Sequence, residues 1–407
     1  MQKVVILGGG FGGLAVAREL AGSMDVTLVD RAPHHLYTPL LYEVATGFLA
    51  SSETKNTRAL REGAALPLHN MRGFRVVQDE VTGMDTATKQ IFLKGQESIN
   101  YDMAVVALGS EPEFYSVPGA AEFALPLRFL THAFRIRDRL HHLIQASHNG
   151  LERKFDVVVV GGGPNGVETA AELARFAKSH RCHNGTLSEH LTITLLELSP
   201  RILASCSPSV VAVAVRRLKN LGVRVRTNTS VGEVHASSVD STPYDLLIWA
   251  AGVCPAKALP CLHLPLSSHG AVLVGPTLAV SGHEDIFALG DAAAVLHPTT
   301  QKLIPGLAQV ALEEAHVVSQ NIRRRARGER LIVFRPPEEW HTIIPLGGAY
   351  AVTEFWGVVV SGFPAYMIRK AVDLWYFLGV MSPLQALRIW FFGAKTFAQN
   401  EESGVLY

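Results

Sequence analysis

The sequence predicts an α/β fold made of two parallel-sheet units, each shaped to hold a dinucleotide, followed by a smaller C-terminal region. Three observations predict it. The run Lys3–Leu7 enters the turn Gly8-Gly-Gly10-Phe11-Gly12-Gly13, and the run 156–160 enters Gly161-Gly-Gly163-Pro164-Asn165-Gly166. Each turn has the form G-x-G-x-x-G, follows a β-branched apolar stretch and leaves into a helical pattern, which is the context the motif requires. In both cases an acid ends the next apolar run: Asp30 after 26–29, and Glu197 after Leu191–Leu196. One such unit holds one dinucleotide, so two units imply two, and passing electrons between them is the usual reason to hold both.

In the first unit, Gly8 allows the tight turn, Gly10 lets the backbone approach a pyrophosphate, and Gly13 lets the helix lie on the strand. The helix, expected over residues 12–22, aims its free N–H groups and partial positive charge at the phosphates. Asp30 stands 22 positions beyond Gly8, where a carboxylate accepts hydrogen bonds from an adenosine ribose. In the second unit Glu197 stands 36 positions beyond Gly161, more than the usual ~20. The polar stretch 179–190 reads as an insertion that accounts for the difference. An acid at this point binds ribose hydroxyls and repels a 2′-phosphate, so NADH is expected over NADPH. Two later strand-to-glycine returns, 101–109 ending at Gly109 and 247–252 ending at Ala251-Gly252, close the two units. Glu168 is expected in the first turn of the second helix, and Glu172 one turn on as an interior or surface helix residue.

Composition narrows the class. Lys and Arg total 37 against 36 Asp and Glu, so no nucleic-acid partner is indicated. Four cysteines form no C-x-x-C pair, which argues against a zinc site or a dithiol centre; no metal is expected. The first strand begins by Lys3, leaving no room for a signal peptide, and cytoplasmic residence is the expectation. The most apolar stretch, 355–381, is interrupted by Gly357, Gly362, Pro364, Arg369, Lys370 and Asp373, and reads as a hairpin followed by an amphipathic helix rather than a membrane span.

Two further segments carry a resemblance. His34-His-Leu-Tyr-Thr-Pro-Leu-Leu-Tyr42-Glu-Val-Ala-Thr46-Gly47 resembles the stretch that runs under the flavin in type II NADH dehydrogenases, the single-chain, non-proton-pumping NADH:quinone oxidoreductases. Pro305-Gly-Leu-Ala308-Gln309-Val-Ala311-Leu-Glu313 resembles that family's Ala-Gln-x-Ala-x-Gln run, with Glu313 in place of the second glutamine. With both turns and the tail, the likeness spans essentially the whole chain. It implies a glutathione-reductase-like pair of FAD- and NAD-binding domains in a flavoprotein enzyme that oxidises NADH and reduces a membrane quinone. The FAD set it implies is Gly8, Gly10, Phe11, Gly12, Gly13, Asp30, Arg31, Thr46, Val81, Gly109, Gly290, Asp291, Ala308 and Gln309. The late Gly290-Asp291 pair would close the FAD site at the ribityl and pyrophosphate end. The NADH set is Gly161, Gly163, Pro164, Asn165, Gly166, Glu197, Ala251 and Gly252.

Glu168, Gln309 and Glu313 become the candidates for proton handling and quinone contact, Glu168 being either a plain helix-end acid or a relay. The implied layout is an FAD domain over 1–112 and 276–330, an NADH domain over 113–275, and a third unit over 331–407. In that tail a hairpin over 343–362 precedes helices over 364–378 and 382–398. Their Tyr366, Trp375, Tyr376, Phe377, Trp390, Phe391, Phe392 and Phe397, beside Arg369, Lys370, Arg388 and Lys395, suit the headgroup boundary of an anionic membrane, a homodimer interface or core packing. Residence at the cytoplasmic face of the cell membrane follows. A reductase of a biosynthetic quinone precursor, such as a demethylated naphthoquinone, and a non-respiratory flavin-binding NADH sensor stay open as alternatives. A sulfide:quinone reductase is disfavoured, because no cysteine follows Cys261.

Overall fold

The computed structural model describes residues 1–46, 61–148, 154–179, 181–182, 185–337 and 340–391. Two compact units divide the chain. The first takes Met1–Leu36, Ala65–Glu111 and Val253–Glu339; the second takes Tyr37–Ala64, Pro112–Gly252 and Trp340–Tyr407.

In the first unit Lys3–Leu7 is the inner strand of a six-stranded sheet. It runs parallel to Asp25–Asp30 on one side and to Met103–Val106 on the other. Val4, Val5, Ile6 and Leu7 are fully buried, as expected of a β-branched run covered on both faces. The helix Phe11–Leu20 lies on this sheet beside Ala308–Ala326. In the second unit Phe155–Val160 holds the equivalent place in a five-stranded parallel sheet, between Leu191–Leu196 and Leu246–Trp249.

Three expectations are corrected. Residues 253–275 belong to the first unit, not the second. Leu259, Leu262, Leu264 and Val272 share a core with Val5, Leu7 and Val106, and Ala256 N–H donates to Gly109 O at 3.0 Å. Residues from Tyr37 to Thr46 group with the second unit, where Leu41–Thr46 lies against Leu130–His148 and Pro164–Ser179. The tail is no third unit. Its hairpin is a three-stranded antiparallel sheet, Ile343–Pro345, Ala351–Phe355 and Val358–Gly362, followed by the helix Phe363–Val380 and a second helix over 383–391. The positions 392–398 of that second helix lie outside the described residues.

The tail is bound to the second unit by buried polar contacts. Gly348 N–H donates to Glu172 Oε2 at 2.8 Å, while Arg175 grips Glu172 Oε1 through Nε and Nη2 at 3.0 and 2.6 Å. Arg217 donates to the carbonyls of Leu346 and Gly347 at 3.1 and 3.2 Å. Ser207, the N-cap of Pro208–Leu221, reaches Glu354. Glu172 is thus a buried anchor for the tail, 2% exposed. Replacing it by leucine strands the Arg175 charge and the Gly348 donor, and is expected to cost about 3–5 kcal/mol, read as a lower midpoint in denaturant unfolding.

Candidate functional site

The absence of side chains shapes the first turn. Gly8 has φ +105°, and a Cβ there would meet Ala107 O at 2.2 Å; one on Gly13 would meet Gly8 O at 1.9 Å. Gly10 faces open space, with no atom within 4 Å of an added Cβ. The helix that follows has no side-chain cap and no acid in its first turn, so its leading N–H groups remain for an anion. Asp30 ties the turn to the next strand: its carboxylate accepts from Gly9 N–H at 2.5 Å and from Ala32 N–H at 2.7 Å. Burial raises its pKa against those two donors.

A residue the sequence did not mark completes this turn. His35 is fully buried; its Nδ1 donates to Gly9 O at 2.8 Å, and its ring stands edge-on to Phe11 with centroids 5.1 Å apart. Burial pushes the imidazole down to about 4, so the ring stays neutral and the prop persists at physiological pH. No periodicity or motif points to His35, because its partner is a backbone carbonyl 26 positions away.

Next to this turn, past the neighbouring parallel strand Met103–Val106, Gly109 (φ +69°) leads to Ser110, whose hydroxyl donates to Asp291. Gly290 N–H donates to Glu314 Oε2 at 2.6 Å. A cavity of about 250 Å³ opens here, lined by Ser110, Cys254, His269, Asp291, Pro305 and Glu314 among others. Ala308 begins its helix, and Gln309 Nε2 donates to Glu313 Oε1 at 3.4 Å, so the two candidate quinone contacts are bonded to each other one turn apart. Val81 is buried in the strand Val81–Asp85, and Arg31 pairs with Glu111 at 3.2 Å. Thr46 is buried in the second unit, its hydroxyl donating to Tyr42 O; Gly47 lies outside the described residues.

The second turn repeats the design. Gly161 has φ +106°, a Cβ on Gly166 would meet Gly161 O at 1.9 Å, and Gly163 faces open space. Glu197 accepts from Gly162 N–H at 2.5 Å and Ser199 N–H at 2.6 Å. Arg201, the nearest cation in sequence, is engaged with Ala204 O at 2.6 Å. Pro164 opens the helix and Asn165 donates to Leu127 O at 3.2 Å. Tyr115 covers Ala251-Gly252, where a Cβ on Gly252 would meet its hydroxyl at 2.1 Å. The stretch 179–190 carries a short hairpin, Arg181–Cys182 with Gly185–Thr186, and the one-turn helix Leu187–His190.

Glu168 is the fifth residue of Pro164–Ser179, past the first turn rather than within it, so that turn holds no acid. It is half-buried, and desolvation pushes its carboxyl up to about 8, opposed by Arg369 and reinforced by Glu43 and Asp373. Beside it lies a buried cluster absent from the sequence reading. Lys370 Nζ lies 3.2 Å from Glu43 Oε1 and 3.6 Å from Asp373 Oδ2. Tyr37 donates to Asp373 Oδ1 at 2.6 Å, Arg369 lies 3.5 Å from the same oxygen, and Tyr42 donates to Glu43 at 3.1 Å. Lys370, Tyr366, Tyr376 and Phe377 are therefore buried and Arg369 nearly so, which is core packing rather than exposure to lipid. Trp390 folds back onto this helix, donating from Nε1 to Lys370 O at 2.7 Å. Phe392, Lys395 and Phe397 lie outside the described residues.

Glu314 offers a test of the first site. It is 1% exposed, and burial, aided by Asp291 and Glu313, raises its carboxyl to about 7 against the Gly290 donor. Because the folded value lies above the unfolded 4.5, its contribution to stability is full below pH 4.5 and is lost as pH rises to about 7. Glu314→Gln is expected to flatten that part of the melting temperature–pH curve while leaving stability above it unchanged or improved.

The family model for pyridine nucleotide-disulphide oxidoreductases matches residues 2–315. The type II NADH:quinone oxidoreductase NdhA of Mycobacterium tuberculosis is 28% identical over 96% of this chain and 86% of its own length. The demethylphylloquinone reductase NdbB of Synechocystis is 31% identical over 92% of each chain. Among solved structures, NDH2 from Plasmodium falciparum in complex with NADH superposes with a TM-score of 0.82 over 99% of both chains at 19% identity, a likeness of fold.

Proposed function

Because the chain belongs to the pyridine nucleotide-disulphide oxidoreductase family, and within it to the type II NADH dehydrogenases, we infer that it is an FAD-dependent NADH:quinone oxidoreductase. The observation that carries this reading is the repeated turn in which a carboxylate is bonded to the glycine backbone, Asp30 to Gly9 and Glu197 to Gly162. Bound FAD supplies hydride acceptance and two-electron transfer, chemistry no side chain provides. Gly8, Gly10, Gly13, Asp30, Ser110, Gly290 and Asp291 are the residues to hold it, and the open space at Gly10 fits a pyrophosphate. Gly161, Gly163, Gly166 and Glu197 hold NADH. Glu197 is the acid assigned to the ribose hydroxyls, and Arg201 is committed to Ala204 O, which favours NADH over NADPH.

Reduction of a quinone by NADH needs one proton beyond the hydride. Glu168 is assigned the task of holding it, since its carboxyl stays protonated near neutral pH. Gln309 and Glu313, bonded to each other, are assigned to the quinone head group. The 31% relative's name favours a second acceptor class, a demethylated naphthoquinone, and both kinds belong in the test. Purified protein should show flavin absorbance and turn over NADH with a short-chain quinone well above its rate with oxygen alone. Glu168→Gln should lower kcat about 10²-fold. Turnover no faster with quinone than without it is the result expected of an NADH sensor.

No helix among the described residues is long and apolar enough to cross a membrane. The helices Phe363–Val380 and 383–391 nonetheless expose Phe363, Trp375, Leu384, Leu387 and Phe391, and the preceding strand turn exposes Trp356. Such apolar exposure beside Arg388 suits the surface of an anionic bilayer, and the tail is proposed as a peripheral anchor at its cytoplasmic face. Trp375→Gln with Leu384→Gln should leave the fold intact and reduce co-sedimentation with anionic vesicles several-fold. An unchanged vesicle-bound fraction, or a dimer that dissociates instead, assigns this face to a second copy.

A further inference from the structure

The helix Ala308–Ala326 lines the core of the first unit with Val310, Ala311, Ala315 and Val318, and Glu314 stands among them, 1% exposed. Its charged neighbours include two further acids, Asp291 and Glu313. A buried carboxyl among acids is costly, so packing alone does not account for it.

The bond it makes leads out of the helix to the adjoining turn. Strand His283–Ala288 runs parallel to Met103–Val106 and ends at Leu289-Gly290-Asp291. Gly290 has φ +63°, a left-handed conformation that glycine adopts without strain, and its N–H donates to Glu314 Oε2 at 2.6 Å. One residue on, Asp291 Oδ2 takes the Ser110 hydroxyl, and Oδ1 sits where a Cβ on Gly306 would meet it at 2.3 Å. One residue back, Leu289 packs on the first nucleotide turn so closely that a Cβ on Gly12 would meet its Cδ1 at 2.0 Å. Ser110, Gly290, Asp291, Gly306 and Glu314 all line the cavity of about 250 Å³. Glu314 therefore holds the backbone directly ahead of the Asp291 carboxylate, beside the nucleotide turn.

A carboxylate accepts from hydroxyls and repels phosphates, so Asp291 suits a polyol chain rather than a pyrophosphate. We propose that Glu314 is a positioning residue for FAD: by holding Gly290 N–H it sets Asp291 to receive the hydroxyls of the flavin's ribityl chain. This deepens the FAD reading given above and rests on it. A hydrogen bond from a backbone N–H to a carboxyl is a strong one, and taking the acceptor away leaves the Gly290 donor unpaired. The resulting slack falls on the next residue, Asp291, and so on the flavin.

The test measures FAD release from the loaded enzyme, as a dissociation constant from flavin absorbance in ultrafiltrates. Glu314→Leu removes the acceptor at similar size and should weaken FAD binding about tenfold. Glu314→Gln keeps a carbonyl oxygen for Gly290 and should stay within about twofold of the parent. In an Asp291→Ala background, Glu314→Leu should weaken FAD binding far less than it does in the parent, because its effect runs through Asp291. Unchanged FAD affinity in folded Glu314→Leu overturns the proposal. So does an equal loss in the leucine and glutamine variants, or a full further loss in the Asp291→Ala background. If Glu314→Leu does not fold, Glu314→Asp, one methylene too short to reach Gly290, decides by the same reading. A parent chain that holds no FAD overturns the FAD reading itself, an outcome distinct from a parent and variants that hold it equally well.

Discussion

A Cβ on Gly13 or Gly166 would stand 1.9 Å from the carbonyl oxygen of the glycine that opens its own turn, and on that absence of side chain the rest of the molecule depends. Only with hydrogen at these points can each helix close onto its strand and leave its first N–H groups open at the turn, an arrangement suited to an anion. The same closeness lets Asp30 and Glu197 bond back to the turn glycines, so each carboxylate is fixed beside its turn by the backbone itself. His35 adds a third support to the first turn by holding the carbonyl of Gly9 from below with a ring that burial keeps neutral.

The second unit combines this nucleotide turn with a set of buried charges. Its helix Pro164–Ser179 begins at the turn, carries Glu168 a little further on, and at Glu172 anchors the tail. Removing one partner of a buried ion pair costs far more than the pair contributes over well-packed apolar residues, so such networks enforce one arrangement rather than simply adding stability. The helix Phe363–Val380 therefore has two kinds of surface. One buries Lys370 and Asp373 beside Tyr37 and Glu43, and the other exposes Phe363 and Trp375.

Local pattern explains why some features were legible and others not. A β-branched run, three spaced glycines and an acid at the end of the next strand are all short-range signals, and the strands Lys3–Leu7 and Leu191–Leu196 appear where they were read. Arg369 and Lys370 looked like lipid-facing cations because a sequence shows charge but not the partners that cancel it. Lys370 meets Glu43 and Arg369 meets the carbonyl of Pro39, each more than 300 positions away. The unit boundary at 252/253 is hidden in the sequence for a similar reason: the apolar residues 259–272 fit either unit by composition, and only the core they enter distinguishes the two.

By itself the sequence determined the two nucleotide turns, their acids and the family, because backbone geometry at a glycine turn is a local property written in adjacent residues. Tertiary structure alone decided which charges are interior, that Glu172 and Glu43 matter, and that the tail completes the second unit. Burial and charge pairing join residues far apart in the chain, and their energies depend on distance and on exclusion of water, neither of which a linear order contains.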